Sequence, residues 1–210
     1  MSDFKEFKNP WSADNSEWFG EEKDKWFEGG DINQSNNVNQ TKIRKVKIVI
    51  TNNKVGEGLV RAYPQSNNKE YIVPLYDCYI EGKMENGTTK KEYFSVIRFG
   101  VQKDESKNIA PKVVGLKDKQ THILNWVNYM GGSWQVYGNW LIHEGAENPS
   151  VEAWGALGCI EVTGKGEWSR FNNVIRSLSR ETSLSDISKA KALSVHYEAV
   201  SERPPLIEKQ

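Results

Sequence analysis

The pair Asn86-Gly87 constrains this chain more than any other two residues. Asn-Gly readily takes the backbone of a two-residue hairpin turn. Here it lies between runs rich in strand-forming residues, Tyr71 to Ile80 before it and Tyr93 to Val101 after it. Residues 75 to 101 are therefore expected to form a long hairpin. Pro74 has no N–H to give to a ladder, which points to an edge or a bulge at that position. Upstream, Val46, Ile48 and Ile50 alternate with Lys45 and Lys47, the period of a half-buried strand, and the turn residues Asn52 and Asn53 are expected to end it. Leu59 to Tyr63 and Ala110 to Leu116 read as further strands.

The second half of the chain mixes both kinds of element. The run THILNWVNYM from Thr121 is apolar enough for helix or strand, while Gly131, Gly132 and Ser133 require a loop. Trp134 to Ile142 then reads as one strand leading into His143. Ile160 and Val162 suggest a short strand, broken by Gly164 and Gly166. Phe171, Val174, Ile175 and Leu178 share one side of a helix beginning near Glu167. A weaker helix is expected from Ser183 to about Ala192, with Asp186 in its first turn. Leu193 to Val200 reads as a last strand, and Pro204-Pro205 closes the domain. The expected fold is α+β and β-rich over residues 42 to 206, a mixed β-sheet sandwich or barrel with one or two packed helices. Residues 207 to 210 are expected to form a C-terminal tail.

Residues 1 to 41 differ in composition. They are charged, interrupted by Trp11, Trp18 and Trp26, and finish in the polar tract DINQSNNVNQ, which suits a flexible segment. Two readings stay open for it, a tail whose aromatics dock loosely and a recognition element for a secretion partner. With 28 basic and 28 acidic side chains the formal charge is zero, so nothing points to nucleic acid. No apolar stretch is long enough to span a bilayer, and the start lacks the basic end and apolar core of a secretory signal. Two cysteines, Cys78 and Cys159, allow one disulfide at most; Cys78, inside a strand-forming run, reads as a buried small hydrophobe. His122 and His196 read as structural.

Chemistry concentrates between Trp140 and Thr163, in the sequence WLIHEGAENPSVEAWGALGCIEVT. A histidine ends one apolar run, and a glycine-preceded cysteine opens another. A thiol becomes a useful nucleophile when an imidazole takes its proton, so His143 and Cys159 form a candidate base and nucleophile. Gly158 lets the backbone turn sharply beside the thiol, and the intervening Gly145, Asn148, Pro149 and Gly155 suit a surface excursion between strands.

This order resembles the L,D-transpeptidase (YkuD-type) catalytic domain and related cysteine enzymes of the cell wall, in which an apolar strand ends in His and a later Ser/Thr-His-Gly-Cys precedes an apolar residue. Leu141, Ile142, His143 and Gly145 match the first half, and Gly158, Cys159 and Ile160 the second. Leu157 stands where the family has His, and Glu161 where it commonly has Arg. The resemblance implies acyl transfer on peptidoglycan stem peptides without a cofactor or metal. Cys159 is then the nucleophile and His143 the base, with backbone N–H groups at Gly158 and Leu157 holding the oxyanion. Glu144 and Gly145 follow the base and are expected to orient it through a backbone carbonyl. Tyr137, Trp140, Trp154 and Glu161 are candidate substrate contacts, each with a packing or surface role as the alternative. Without a secretory signal, such an enzyme is expected to reach its target as an injected toxin, paired with an inhibitor in the producing cell, or through phage lysis.

Other classes fit less well. Three scattered histidines lack H-E-x-x-H spacing for zinc, and no carboxylate pair is singled out for glycan hydrolysis. The main rival is a protein-binding module with a buried, structural Cys159.

Overall fold

The alternation that starts at Val46 runs well past Asn52. In the computed structural model, which describes residues 42–65, 68–155 and 157–210, β1 (Val46–Pro64) is one 19-residue strand. The segment 1–41, including its Trp motifs, lies outside the described residues. The turn expected at Asn52-Asn53 is an irregularity inside the strand instead, with register shifts between Ile50 and Gly56. Side chains supply the bonds that the ladder loses there. Thr51 Oγ1 donates to Asp77 O at 2.9 Å, Asn53 N–H donates to Thr51 Oγ1 at 3.1 Å, and Asn53 Nδ2 donates to Asp77 Oδ2 at 2.7 Å. Short polar side chains that satisfy nearby backbone let a strand bend without ending.

β2 (Glu70–Lys83) and β3 (Thr89–Ile97) form the expected hairpin, paired from Leu75↔Ile97 to Lys83↔Thr89. Asn86 Oδ1 accepts from both the N–H and the hydroxyl of Thr88, and Gly87 takes φ +81°. Pro74 falls one residue outside the β3 ladder. The returning strand stops at Ile97 rather than Val101. β4 (Gly100–Asp104) leaves to pair in parallel with the far end of β1, and β5 (Ile109–Val114) covers β4.

The ambiguous run from Thr121 is extended, as β6 (Gln120–Ile123) and β7 (Asn125–Val127). The strand expected over Trp134 to Ile142 is a hairpin of two, β8 (Ser133–Tyr137) and β9 (Trp140–Glu144), because Gly138 adopts φ +49° and reverses the chain. The short β10 (Trp154–Gly155) lies along β1, and β11 (Ile160–Thr163) enters between β3 and β9. Two helices follow, α1 (Glu167–Ser179) and α2 (Leu184–Lys189), the second capped by Ser183. β12 (Leu193–Tyr197) pairs in parallel with the first half of β1, and β6 pairs with β12. The tail expected at 207–210 carries β13 (Ile207–Glu208), which adds to β2.

The strands make a large mixed sheet in the order β5-β4-β1-β2-β3-β11-β9-β8-β7, which forks at β1 because the two halves of that strand take different neighbours. The domain is thus α+β and β-rich. Its main core lies under α1, where Phe171, Ile175 and Leu178 bury against Phe94, Val96, Ile142, Ile160 and Val162. Trp134, fully buried, donates its indole N–H to Asn172 Oδ1 at 3.0 Å. A smaller core of Val60, Ala62, Tyr71, Val73, Ile97 and Val101 fills the other side.

Arg98 sits at the point where β3 ends, with no exposed surface. Its guanidinium donates to three carbonyls, those of Leu116 (2.9 Å), Thr51 (3.2 Å) and Glu198 (2.7 Å), beside the rings of Tyr76, Phe99 and Tyr197. Carbonyl dipoles and ring faces thus take the place of a carboxylate partner. Arg98→Met leaves those three acceptors without their donor, at about 1–3 kcal/mol each. Chemical denaturation is expected to show a loss of at least about 3 kcal/mol.

Candidate functional site

The candidate chemistry lies where β9 and β11 run side by side. These strands are parallel, with Ile142 opposite Ile160 and His143 opposite Glu161. Side chains alternate across a sheet, and both strands obey this. Ile142, Ile160 and Val162 enter the main core beneath α1. Leu141 and Cys159 pack together on the opposite face with Val127 and Tyr129, so His143 and Glu161 share that face with them. The sequence therefore sends its apolar residues one way and its chemistry-bearing residues the other. Along this face Cys159 is diagonal to His143, with about 8 Å expected between their Cα atoms from strand spacing and rise.

His143 is 4% exposed. Its Nδ1 lies 2.7 Å from Glu144 O; a carbonyl only accepts, so Nδ1 carries the proton and Nε2 presents its lone pair. Burial lowers the pKa of this imidazole and outweighs the carbonyl contact, which leaves it neutral at neutral pH. Glu144 contributes its carbonyl, and its own side chain is exposed. Gly145 follows with its N–H on Val162 O at 2.9 Å. A Cβ at Gly145 would meet Glu161 Cβ at 2.8 Å, so glycine is what lets the buried glutamate fit.

Cys159 is 6% exposed, and its thiol donates to Asn139 O at 3.8 Å. Burial pushes its pKa up to about 11, with the Glu161 charge adding to the rise against the pull of the Leu141 backbone. The resting thiol is thus protonated. No hydrogen bond joins the sulfur to the imidazole among the described residues. Gly158 adopts φ +84° before the thiol, and a Cβ there would stand 2.5 Å from the Cα of Gly115. Backbone meets backbone at that point, and a side chain on Gly158 would break the contact.

Glu161 is fully buried, and neither carboxyl oxygen has a hydrogen-bond partner. Burial alone raises its pKa from 4.5 to about 7.

Among the expected substrate contacts, Tyr137 is 41% exposed, its ring resting on His122 with centroids 4.7 Å apart. It pairs across the β8–β9 hairpin with Trp140, whose ring is partly buried against the main core. Trp154 is 38% exposed but sits on β10 opposite Val60 of β1. Leu157 is half-buried. The histidines read as structural are bonded locally, His122 Nε2 to Gln120 Oε1 at 2.9 Å and His196 Nδ1 to Thr121 Oγ1 at 2.8 Å. Cys78 is fully buried, and both cysteines are free thiols.

Three contributors escape sequence reasoning. The Asn139 carbonyl receives the thiol, Gly115 supplies the backbone surface under Gly158, and buried Tyr197 lies close enough to Cys159 for its charge to be felt. The first two act through backbone atoms, which leave no residue-type signature. The burial of Glu161 had no such signature either, since Ile160 and Val162 on either side of it face the opposite core.

Among the described residues no group of three His, Cys, Asp or Glu side chains is arranged to hold a metal ion, and no helix is long and apolar enough to cross a membrane. No protein-family model, curated protein or solved structure matches the chain.

Two outcomes follow from the electrostatics. Below pH 4.5 Glu161 is protonated in folded and unfolded chains alike; as the pH rises through about 7 the unfolded chain has lost a proton that the folded chain retains, so stability falls. Glu161→Gln lacks this term, and its stability relative to the parent is expected to improve by about 3 kcal/mol between about pH 4 and pH 8 in denaturant titrations. Alkylation of Cys159 by iodoacetamide, followed by mass spectrometry, is expected to be slow at neutral pH. Its rate should climb about tenfold per pH unit toward the thiol's pKa.

Proposed function

We propose that this protein is a cysteine acyl-transfer enzyme of the L,D-transpeptidase type, acting on peptidoglycan stem peptides. The observation that carries the proposal is the common face of β9 and β11. It holds Cys159 and His143 on adjacent parallel strands, with the imidazole fixed through Nδ1 so that Nε2 is the free base. The resemblance carried by His143 and Gly145 and by Gly158-Cys159 suggests the substrate class, and the β-rich domain with two helices is compatible with that fold type.

In this scheme the sulfur attacks the carbonyl carbon of the amide that joins an L-centre to a terminal D-residue. Because the thiol is protonated at rest and the imidazole is neutral, deprotonation accompanies attack rather than preceding it. Nε2 takes the thiol proton as the carbonyl electron pair moves onto oxygen, where N–H groups at Leu157, Gly158 and Cys159 are assigned as its donors. Collapse breaks the C–N bond, the amine leaves with the proton from Nε2, and a thioester on Cys159 remains. Water then yields carboxypeptidase activity, and an amine yields transpeptidation or exchange of the terminal D-amino acid. Delivery into a target bacterium, and a cognate inhibitor in the producer, belong to the same proposal.

The 6% exposure of Cys159 favours a second reading, a protein-binding module in which the thiol is structural. Incubation of purified stem tetrapeptides with the protein, followed by mass spectrometry, separates the two. Loss or exchange of the terminal D-residue is expected with the parent protein, none with Cys159→Ala, and a rate reduced by about 10²-fold or more with His143→Ala. Equal product with parent and Cys159→Ala, or none with a folded parent, overturns the enzymatic reading.

A further inference from the structure

Glu161 has no part in the acyl-transfer scheme, yet it occupies the position directly across from the base. Its carboxyl is wholly enclosed and both oxygens are unpartnered, a costly arrangement in a folded protein. Isoleucine or valine, as at Ile160 and Val162 on the same strand, would fill such a site without that cost. The elements packed around it contain few groups that respond to charge. β3 opposes it with Ile97, and Gly145 lies against its Cβ. Its own strand contributes Thr163, whose hydroxyl is used on Ser95 O, and leads back to the Cys159 thiol. β9 contributes the His143 imidazole. Among the described residues no Lys or Arg forms an ion pair with Glu161. His143 is therefore the one neighbour that gains from a negative charge there.

We propose that Glu161 is a positioning residue for the base, its carboxylate serving as the fixed counter-ion of the imidazolium that His143 becomes when it takes up a proton. The inference builds on the acyl-transfer reading for its purpose, though the charge coupling itself is independent of any substrate. Register places both reacting groups close to it. His143 lies one strand spacing from Glu161, about 4.8 Å, whereas Cys159 is two residues along the same strand, about 6.6 Å. A carboxylate there favours imidazolium at His143, and its charge also raises the Cys159 pKa, so it acts on both partners of the proton transfer. Glu161 exchanges no proton in the step. The thiol proton goes to Nε2 and returns from there to the leaving amine, while the carboxylate keeps its charge throughout.

Protonation of Glu161 removes the counter-charge, so the base weakens as the pH falls through about 7.

The test uses the full chain with isotope-labelled histidine, titrated by NMR in the parent, Glu161→Gln and Glu161→Asp proteins. In the parent, the His143 ring signals are expected to show a second inflection where Glu161 titrates. In Glu161→Gln that inflection disappears, and His143 takes up its proton at a pH lower by about one or more. Glu161→Asp is expected to restore part of the shift. Retained His122 and His196 signals report that each variant is folded, and Glu161→Leu replaces the Gln variant should Gln fail that check. Identical His143 titrations in the parent and the variant lacking the carboxyl overturn the proposal. Tetrapeptide assays on the same samples are expected to lose their acid limb in Glu161→Gln and to be slowed at least tenfold above it. Coupling seen by NMR in a protein without tetrapeptide activity sinks the acyl-transfer reading and leaves the counter-ion assignment standing.

Discussion

The parallel pairing of β9 with β11 is the constraint from which the rest of the site follows. Once Ile142 and Ile160 are opposite each other in the core, alternation fixes the other face as well. A slip of one residue would bury Leu141 and Glu161 beneath α1 and turn the isoleucines outward. The apolar side thus enforces a register whose consequences are chemical. His143, Cys159 and Glu161 are held together by packing on the far side of the sheet from them, not by bonds among themselves.

The three side chains are consequently closed off from solvent. Burial acts in the same direction on all three groups by disfavouring their charged forms, so thiol, imidazole and carboxyl are all biased toward neutrality. A preformed thiolate–imidazolium pair is not what this environment holds. In the acyl-transfer scheme proposed for this face, charge would be created in the act of proton transfer, where a fixed dipole or counter-charge near the imidazole has its greatest effect.

Much of the architecture was legible in the sequence because it rests on period and turn chemistry. Asn86-Gly87 fixed the β2–β3 hairpin, and the spacing of Phe171, Ile175 and Leu178 fixed α1. Errors arose where one residue type has two uses. Asn52 and Asn53 read as turn residues, but their side chains bond to distant Ala199 and Asp77 across a strand irregularity, and Gly138 divides an apolar run that looks continuous. In the site, His143 and Cys159 were legible as residue types, as was the carbonyl following the histidine. The closure of the thiol and the isolation of Glu161 were not, since the first depends on Asn139, Leu141, Val127 and Tyr129 and the second on Ile97 and Gly145, which only the fold brings there.

Arg98 has a consequence for how the domain comes apart. One guanidinium holds the backbone of β1, of the segment after β5 and of the chain beyond β12, stretches far apart in sequence that meet only when the domain is assembled. Such a latch couples the three stretches, because releasing any one leaves part of the guanidinium's hydrogen bonding unmade. Its ring neighbours Tyr76, Phe99 and Tyr197 all belong to the main core, so that core is what the latch secures.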